Sequence, residues 1–338
     1  MRKVIVTGGA GFIGSNLVKY LLNKKYFVIN IDKLSYSANP YNLKDLAKNK
    51  NYVFFKEDIN NKDKIIKILK KYKPECIFNL AAETHVDRSI DKPKNFIHSN
   101  ILGTYNLLEA ILGYNKKIKL VHVSTDEVYG DVIKGRSNEN STYNPSSPYS
   151  SSKASADHLI KSYVRTYKID AVISNCCNNY GPNQFPEKLI PKLIFNIINN
   201  ISLPIYAKGK NSREWIHVED HCKALLLIYL KGKSGESYNV GSKKNFINKE
   251  IAKKLIMIAK RKLKKLGKNV KIKYVKDRPG HDLRYALNSN KIFKKLNWKA
   301  KIPLDAGLVQ TFDWYINNKK FFNSVSKKLY INRIGLKK

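Results

Sequence analysis

The fold of this chain is decided by the segment KVIVTGGAGFIG, residues 3–14. The apolar run at residues 3–7 predicts a β-strand, and the Gly-x-x-Gly-x-x-Gly spacing predicts a tight turn into a helix from Ser15 to Asn23. Glycines in such a turn let the backbone approach a pyrophosphate group, which then lies at the amino end of the helix. This order indicates a Rossmann-type, doubly wound parallel sheet of the α/β class that binds a dinucleotide.

An acidic residue follows the second predicted strand. Residues 27–31 form that strand, and Asp32 comes directly after it. A carboxylate at this place accepts hydrogen bonds from the adenosine ribose hydroxyls and repels a 2′-phosphate. We therefore predict NAD rather than NADP as the cofactor, although Lys33 is adjacent.

Two further strands end in residues that suit a cofactor site. The predicted strand at 51–56 is followed by Asp58, and the one at 76–80 is followed by Ala81 and Ala82. Asp58 suits either a hydrogen bond to an adenine amino group or a helix cap. Small residues allow a strand end to pass close to a cofactor. The helices predicted nearby cover residues 65–72 and 95–113.

The segment STDEVYG, residues 124–130, follows the apolar run LVHV at 120–123. The hydroxyl of Thr125 and the adjacent carboxyls of Asp126 and Glu127 should therefore lie at the carboxyl end of a buried strand, where ligands bind in open α/β sheets. The same residue types also favour turns and caps, so a polar turn is the alternative. A hydroxyl beside two adjacent carboxyls at a strand end indicates a site that transfers protons.

A tyrosine and a lysine four residues apart follow, at Tyr149 and Lys153. On a helix these positions share one face, which brings the ammonium close to the phenol. A nearby cation favours the phenolate and lowers the pKa of a tyrosine. Tyr149 is therefore predicted to act as a base at neutral pH.

The net charge of the 338-residue chain is +38, from 64 basic and 26 acidic residues. Such a balance can indicate binding to nucleic acid or to a membrane surface. Only nine of the basic residues are arginines, the residue type that reads bases and phosphates through paired hydrogen bonds, and the lysines are spread along the chain. We interpret the charge as compositional and predict no nucleic-acid and no membrane partner. The positive potential would still help to attract an anionic substrate.

The cysteines and the hydropathy point to the cytoplasm. The four cysteines are Cys76, Cys176, Cys177 and Cys222, without a CxxC pair or a disulfide framework. No apolar run is long enough to span a bilayer, and the first residues resemble a strand and turn rather than a signal peptide. No metal site is predicted.

The predicted domains are a Rossmann domain at residues 1–178 and a smaller C-terminal α/β substrate lobe at 179–338. Some chain near 216–245 is expected to return to the first domain. Residues 251–273 predict an amphipathic basic helix, which suits either a membrane surface or, as we favour, a core-facing helix with a solvated outer face.

The glycine turn, Asp32 and Tyr-x-x-x-Lys together resemble the extended short-chain dehydrogenase/reductase superfamily, and within it the dTDP-glucose 4,6-dehydratases. The Asp126–Glu127 pair is the most specific part of the resemblance, since the sugar-nucleotide epimerases of this superfamily lack it. The similar stretches are residues 7–16, 32–34, 79–90, 124–130, 149–155, 178–191, 213–224 and 277–286.

The resemblance implies a hydro-lyase that converts dTDP-glucose to dTDP-4-keto-6-deoxyglucose and water. It implies transient oxidation at C4, elimination across C5 and C6, and return of the hydride to C6. It also implies a homodimer. The implied catalytic residues are Thr125, Asp126, Glu127, Tyr149 and Lys153.

The resemblance also implies two sets of binding residues. The residues expected to bind NAD are Gly8, Gly11, Phe12, Ile13, Gly14, Asp32, Lys33, Leu34, Ser35, Asp58, Ile59, Leu80, Ala81, Ala82, Ser99, Tyr149, Lys153 and Asn179. The residues expected to bind the dTDP-sugar are Thr84, His85, Thr125, Asn178, Glu187, Lys188, Leu189, Pro204, Tyr206, Arg213, Asn248, Arg278, His281 and Tyr330.

Several alternatives stay open at the level of sequence. Arg213 could instead form a surface pair with Glu214, and His281 could cap a loop. The enzyme could act on a CDP-, GDP- or UDP-sugar, as a dehydratase or an epimerase. A more distant alternative is a basic nucleic-acid or membrane-surface binding protein that kept an inactive dehydratase fold.

Overall fold

The computed structural model describes residues 1–115, 117–330 and 335. The strands are β1 (Lys3–Thr7), β2 (Phe27–Ile31), β3 (Tyr52–Phe55), β4 (Cys76–Asn79), β5 (Lys119–Thr125), β6 (Ala171–Cys176), β7 (Asn178–Tyr180), β8 (Leu203–Tyr206), β9 (Ser212–His217), β10 (Ser237–Val240), β11 (Asn245–Ile247) and β12 (Ile272–Val275).

The helices surround these strands. The α-helices are α1 (Phe12–Asn23), α2 (Lys62–Tyr72), α3 (Val86–Asp91), α4 (Pro93–Phe96), α5 (Gly103–Tyr114), α6 (Pro148–Tyr167), α7 (Leu189–Ile198), α8 (Val218–Lys231), α9 (Asn248–Lys262), α10 (Asn290–Leu296), α11 (Leu304–Asn317) and α12 (Lys319–Asn323). Short 3-10 helices cover Pro40–Leu46, Asp126–Tyr129 and Lys327–Leu329, and a π-helix covers Ile97–Leu102.

Within the described residues, seven strands form one parallel sheet in the order β10-β6-β5-β4-β1-β2-β3. Because all of these strands run the same way, their carboxyl ends meet at a single edge. The order reverses beside β1, where the chain crosses from β3 to β4, and a ligand crevice forms at such a point in doubly wound sheets. The predicted Rossmann-type α/β fold is confirmed.

The main sheet is buried on both faces. One apolar cluster joins Leu17 and Leu21 of α1 to Leu225 of α8, and another joins Leu69 of α2 to Leu108 of α5. Parallel strands covered on both faces are apolar along their whole length, as the segment VIV of β1 is. Burial of these helix stripes against the sheet therefore holds its carboxyl edge in place.

A third apolar cluster lies in the C-terminal half of the chain and joins α7, α9 and α11. Among the described strands, β11-β9-β7 and β12-β8 form two small sheets beside this cluster. Strand β10 pairs in parallel with β6, so the chain returns to the main sheet after α8. The exact boundary at residue 178 stays a prediction.

The basic helix predicted over residues 251–273 is wrong in its second half. Helix α9 ends at Lys262, and Leu263 has extended backbone angles. Residues Ile272–Val275 instead form β12, which pairs in parallel with Leu203–Tyr206. The apolar residues Ile251, Leu255 and Ile258 of α9 face the C-terminal cluster. Pairing with β8 supplies backbone hydrogen bonds to Ile272–Val275. The partner strand lies about 70 residues earlier in the chain, so the local sequence does not identify it.

The helix predicted over residues 95–113 is divided in the structure. Helix α4, the π-helix at Ile97–Leu102 and α5 follow one another without a loop. The π-helix contains Ser99, whose hydroxyl accepts a hydrogen bond of 2.7 Å from the Lys33 ammonium. Wide helical turns of this kind often lie at functional sites.

In the part of the chain that the structure describes, no helix has the length and apolar character needed to cross a membrane.

The glycine turn generates a stability prediction. A Cβ on Gly14 would lie 2.1 Å from the carbonyl oxygen of Gly8 and 2.7 Å from Gly9 Cα, both backbone atoms that cannot move aside. Gly14→Ala should therefore lower the free energy of unfolding by about 1–3 kcal/mol, the usual cost of overpacking. Urea unfolding followed by circular dichroism measures this loss.

Gly113→Ala is the matched control. Gly113 lies near the end of α5, and nothing lies within 4 Å of a Cβ placed there. Because alanine favours a helix over glycine, this change should stabilise the protein by about 0.5–1 kcal/mol. Equal destabilisation by both substitutions would contradict the packing argument.

Candidate active site

A cleft lies along the carboxyl edge of the main sheet. Its walls include Gly8 after β1, Asp32 after β2, Leu80 after β4, and Thr125 and Cys176 at the ends of β5 and β6. The parallel sheet therefore brings together residues that lie far apart in the sequence.

The glycine turn and α1 form one end of the cleft. Gly8 has a φ of +69°, a conformation that favours glycine, and a Cβ there would lie 2.8 Å from the backbone nitrogen of Ala81. The amino end of α1 has no side-chain cap, and Phe12, Ile13 and Gly14 of its first turn line the cleft. Uncapped amide groups beside a bare backbone suit a pyrophosphate.

Asp32 lies on the cleft wall beside this turn. Its carboxylate accepts hydrogen bonds from the amide nitrogens of Ala10 at 2.9 Å and Leu34 at 2.7 Å. The Lys33 ammonium lies 3.5 Å from the Asp58 carboxylate and donates to Ser99. Lys33 is thus paired with an acidic side chain. Asp32 lines the cleft, where its carboxylate could accept hydrogen bonds from an adenosine ribose. These residues fit NAD and disfavour a 2′-phosphate.

The Thr125-Asp126-Glu127 segment forms the amino end of a 3-10 helix directly after β5. The Thr125 hydroxyl accepts from the Glu127 amide at 3.2 Å and lies 3.3 Å from Asp126 Oδ1. Thr125 therefore caps the short helix, and the same segment lines the cleft. The interpretation as a polar turn and the interpretation as a ligand site are thus compatible.

Asp126 is buried, and its Oδ2 makes no hydrogen bond to any described residue. Burial raises the pKa of Asp126 well above its ordinary value, and the neighbouring Glu127 raises it further, while Arg213 opposes both. Burial therefore favours the neutral acid form of Asp126 in the folded protein. A neutral carboxyl can donate a proton, whereas an ionised one cannot.

Tyr149 and Lys153 lie in the first turns of α6, which Ser147 caps. Burial raises the pKa of Tyr149 well above its ordinary value, Glu127 adds to this, and a hydrogen bond with Thr125 opposes it. Burial lowers the pKa of Lys153 to about 8, while Asp157 raises it. The predicted activation of Tyr149 by Lys153 therefore has to act against the effect of burial on the phenol.

The cleft collects most of the predicted binding residues. Every residue predicted to bind the cofactor lines it except Leu34, whose backbone instead supports Asp32. Of the predicted substrate residues, Thr84, Thr125, Asn178, Glu187 and Lys188 line it. The others lie outside it, namely His85, Leu189, Pro204, Tyr206, Arg213, Asn248, Arg278, His281 and Tyr330.

Glu187 and Lys188 are fixed by their neighbours. The Glu187 carboxylate accepts from the Tyr36 hydroxyl at 2.8 Å and from Arg88 Nε at 3.0 Å, and His85 Nε2 lies 4.0 Å away. The Lys188 ammonium donates to the carbonyl oxygen of Thr84 at 2.6 Å. These contacts join the loop before α7 to the loop after β4.

Arg278, Tyr206 and His281 form a second polar group around Asp87. The Asp87 carboxylate accepts from Arg278 at 2.8 Å and from the Tyr206 hydroxyl at 2.5 Å. His281 packs edge-on against the Tyr206 ring, and its Nδ1 lies 2.6 Å from Asp277. Arg278 Nε is buried without a hydrogen bond to any described residue. Their predicted contact with a nucleotide stays a prediction.

Arg213 has its hydrogen bonds within the protein. Its guanidinium donates to the carbonyl oxygens of Ser212, Leu283 and Asp282 and lies 4.1 Å from the centre of the Tyr285 ring. Glu214 is not its surface partner, because that buried carboxylate accepts from Arg136.

The remaining predicted substrate residues also do not line the cleft. Tyr330 is buried among Phe185 and Phe195, and its hydroxyl has no partner within the described residues. Asn248 begins α9, Leu189 begins α7, and Pro204 lies in β8. Their roles stay predictions.

Tyr285 was not predicted from the sequence as a site residue. Its hydroxyl lies 3.4 Å from Glu127 Oε2 and donates to Asp282 at 2.5 Å. Asp87, Arg88 and Tyr36 were also missed as organising groups. Asp87 and Arg88 lie in α3, within the polar segment that follows β4, whereas nothing near Tyr285 in the sequence points to Glu127.

The family model described as GDP-mannose 4,6 dehydratase matches residues 5–311. A dTDP-glucose 4,6-dehydratase of Salmonella typhimurium is 42% identical over 97% of this chain and 96% of its own. This chain belongs to the dTDP-glucose 4,6-dehydratase family. The Asp126–Glu127 pair and the Tyr149–Lys153 pair are thus parts of a dehydratase-family cleft.

Two solved structures of related enzymes are similar to this chain. The structure of DesIV, a dTDP-glucose 4,6-dehydratase from Streptomyces venezuelae with NAD and TYD bound, has a TM-score of 0.91 and 38% identity, covering 96% of this chain and all of the other. A UDP-glucose 4-epimerase from Thermotoga maritima with UDP-glucose has a TM-score of 0.85 and 29% identity, covering 94% and 99%.

The buried carboxyl of Asp126 generates a prediction about stability and pH. Its pKa in the folded protein lies above the ordinary value of 3.8, so folding retains a proton that the unfolded chain releases above that pH. Wild-type stability should fall as pH rises from there toward the folded-state pKa. Asp126→Asn removes this cost, so its Tm should exceed that of the wild type by a margin that grows with pH.

Thermal unfolding from pH 4 to pH 8 measures the margin, with Asp45→Asn as the control. Asp45 is exposed at the end of a 3-10 helix, so its substitution should give no such trend. A constant difference between Asp126→Asn and the wild type would show that Asp126 is ionised when folded.

Proposed function

We propose that this protein is an NAD-dependent dTDP-glucose 4,6-dehydratase, a hydro-lyase that forms dTDP-4-keto-6-deoxyglucose and water. The observation that carries the proposal is a neutral carboxyl, a second carboxylate and a tyrosine in one cleft: Asp126, Glu127 and Tyr149. Oxidation alone would need only the tyrosine and its lysine, whereas dehydration needs an acid and a base besides them.

The groups that would hold NAD are the backbone of the glycine turn, the amino end of α1 and the Asp32 carboxylate. Bound there, NAD would supply a hydride acceptor for C4 and a hydride donor for C6, so the net reaction would be an elimination.

Tyr149 is the base for the first step. Its phenol, hydrogen-bonded to Thr125, removes the proton of the C4 hydroxyl. Thr125 stabilises the phenolate by donating to it, and Lys153 stabilises it by charge. Both effects oppose the cost of ionising a buried phenol.

Glu127 and Asp126 divide the elimination between them. A ketone at C4 makes the C5 proton acidic, and Glu127, part-exposed on the cleft wall, removes it. Asp126, whose neutral form is favoured by burial, gives its proton to the departing C6 hydroxyl, which leaves as water. A proton is restored at C5 when the hydride is returned at C6. Each of these proton transfers is worth about 10²–10⁴ in rate.

The decisive experiment substitutes the two carboxyls separately. With dTDP-glucose, Glu127→Gln should retain part of the C4 oxidation but lose exchange of the C5 proton with D₂O. Asp126→Asn should retain C5 exchange and lose product formation about 10²-fold or more. Mass spectrometry of the sugar measures exchange, and absorbance measures the reduced cofactor.

Asp63→Asn serves as the control, because Asp63 is exposed in the first turn of α2. It should exchange and turn over like the wild type. Unchanged turnover in both cleft variants would refute the division of roles.

The dTDP-sugar is the proposed substrate rather than a CDP-, GDP- or UDP-sugar. Support comes from the relatives named dTDP-glucose 4,6-dehydratase. Turnover of all four nucleotide sugars, measured side by side, tests this. Conversion of a UDP-sugar alone would make the base assignment wrong.

We also propose a homodimer formed by α5 and α6. Apolar side chains on the π-helix and α5 are exposed, with Ile97 52%, Leu102 45% and Tyr105 42% accessible, and Tyr167 of α6 is 44% accessible. An apolar surface on two adjacent helices suits a self-complementary interface. The proposed location is the cytoplasm, where the buried cysteine thiols would stay reduced.

Leu102→Lys should disrupt that dimer, because it places a charge in an apolar interface. Sedimentation velocity at matched concentration should show a shift from dimer to monomer. Met257→Lys, at a 54% exposed position on α9, should leave the dimer intact. The same sedimentation coefficient for both variants and the wild type would count against this interface.

A further inference from the structure

The buried carboxylate of Asp157 follows the Tyr149–Lys153 pair on α6 and takes no direct part in the proposed proton transfers. Asp157 is one helical turn after Lys153 on α6, so Tyr149, Lys153 and Asp157 follow one another at intervals of four residues along one face. Asp157 is 0% exposed, and Lys153 is 3% exposed. Asp157 does not line the cleft.

Three donors hold one oxygen of Asp157. Its Oδ2 accepts from the Ser124 hydroxyl at 2.7 Å, the Tyr143 hydroxyl at 3.1 Å and the Asn175 amide at 3.3 Å. Its Oδ1 makes no hydrogen bond to the described residues. Burial raises the pKa of Asp157 above its ordinary value, while Lys153 and the hydroxyls of Ser124 and Tyr143 lower it and so favour the ionised form.

The Lys153 ammonium and the Asp157 carboxylate both lie near Nε2 of His122. The ammonium donates to the Val123 carbonyl oxygen at 2.7 Å and lies 3.1 Å from His122 Nε2, which is 3.6 Å from Asp157 Oδ1. Burial and the adjacent Lys153 hold the pKa of His122 well below its ordinary value, so the imidazole is neutral. His122 fills the space between the two charges and adds none.

Among the other acidic groups on neighbouring elements, burial disfavours the anions of Cys176 and Asp126, whereas Glu127 and Glu109 contact other groups. Burial raises the pKa of the Cys176 thiol of β6 to about 12, and burial keeps Asp126 on the neighbouring 3-10 helix protonated. Glu127, next to it, faces the cleft, and Glu109 of α5 binds the Tyr163 hydroxyl farther along α6. Lys161 and Tyr143 face Asp157 from its other side.

A buried ammonium without a counter-charge loses its proton, because ionisation away from water is costly. We propose that Asp157 is a positioning residue for the Tyr149–Lys153 pair, its buried carboxylate supplying the negative charge that keeps Lys153 protonated. The inference rests on the proposed function, in which a charged Lys153 favours the Tyr149 phenolate. The effect of Asp157 reaches the substrate only through Lys153 and Tyr149.

The first test is the pH profile of dTDP-glucose turnover by Asp157→Asn. If Lys153 becomes neutral, the pKa of Tyr149 rises, so the acid limb of kcat should move to higher pH. A displacement of one pH unit would give about a tenfold loss at pH 7 that is recovered in alkali. KM should stay unchanged, because Asp157 does not line the cleft. A purely structural role would lower kcat equally at every pH.

Tyr143→Phe is the matched control. It removes one hydrogen bond from the same carboxylate and leaves the charge, so its acid limb should move much less than that of Asp157→Asn. An acid limb in folded Asp157→Asn that coincides with the wild-type limb overturns the proposal.

The second test needs no substrate and no substitution at Asp157. The ¹³Cε resonance of Lys153 in the full-length wild-type chain, assigned by its loss in Lys153→Met, should report a charged ammonium at pH 7. A neutral Lys153 at that pH overturns the proposal. A charged Lys153 in a protein that does not convert dTDP-glucose would instead leave this inference standing and refute the proposed function.

Discussion

Burial of ionisable side chains at one edge of a parallel sheet is the constraint on which the site depends. In water, Asp126 would be ionised, and Lys153 would hold its proton far above neutral pH. In the cleft, burial keeps Asp126 neutral and brings the pKa of Lys153 to about 8. The same burial works against Tyr149, whose phenol is harder to ionise there. Ionisation of Tyr149 therefore requires a charged partner, whereas burial alone favours the neutral form of Asp126.

Parallel topology creates that edge. Because β1, β2, β4, β5 and β6 all end at the same side, the glycine turn, Asp32 and the Thr125-Asp126-Glu127 segment converge without any of them being close in sequence. The C-terminal part of the chain adds groups that reach the same carboxyls. Tyr285 approaches Glu127 across 158 positions, and Arg213 influences Asp126 while its donors bind backbone carbonyls. Positioning and chemistry thus come from different parts of the chain.

Sequence reasoning succeeded where the signal is local. The glycine spacing, the acidic residue after β2 and the four-residue interval between Tyr149 and Lys153 each depend on a few neighbouring residues, and the structure places all of them on one cleft. It failed where a distant strand decided the outcome. In the basic segment 251–273 the helical spacing of apolar residues extends only to Leu266, and Ile272–Val275 forms a strand that pairs with β8.

The sequence by itself determined the Rossmann-type fold, the family and the residue types available for acid and base chemistry, because backbone geometry and helix periodicity are properties of short segments. Only the tertiary structure decided which of those groups are charged. A pKa depends on what surrounds a group in space, and the neighbours of Lys153 come from β5 as well as from its own helix: Val123, His122 and Asp157. The roles of Asp157 and Tyr285 arise from such contacts, which no stretch of sequence contains.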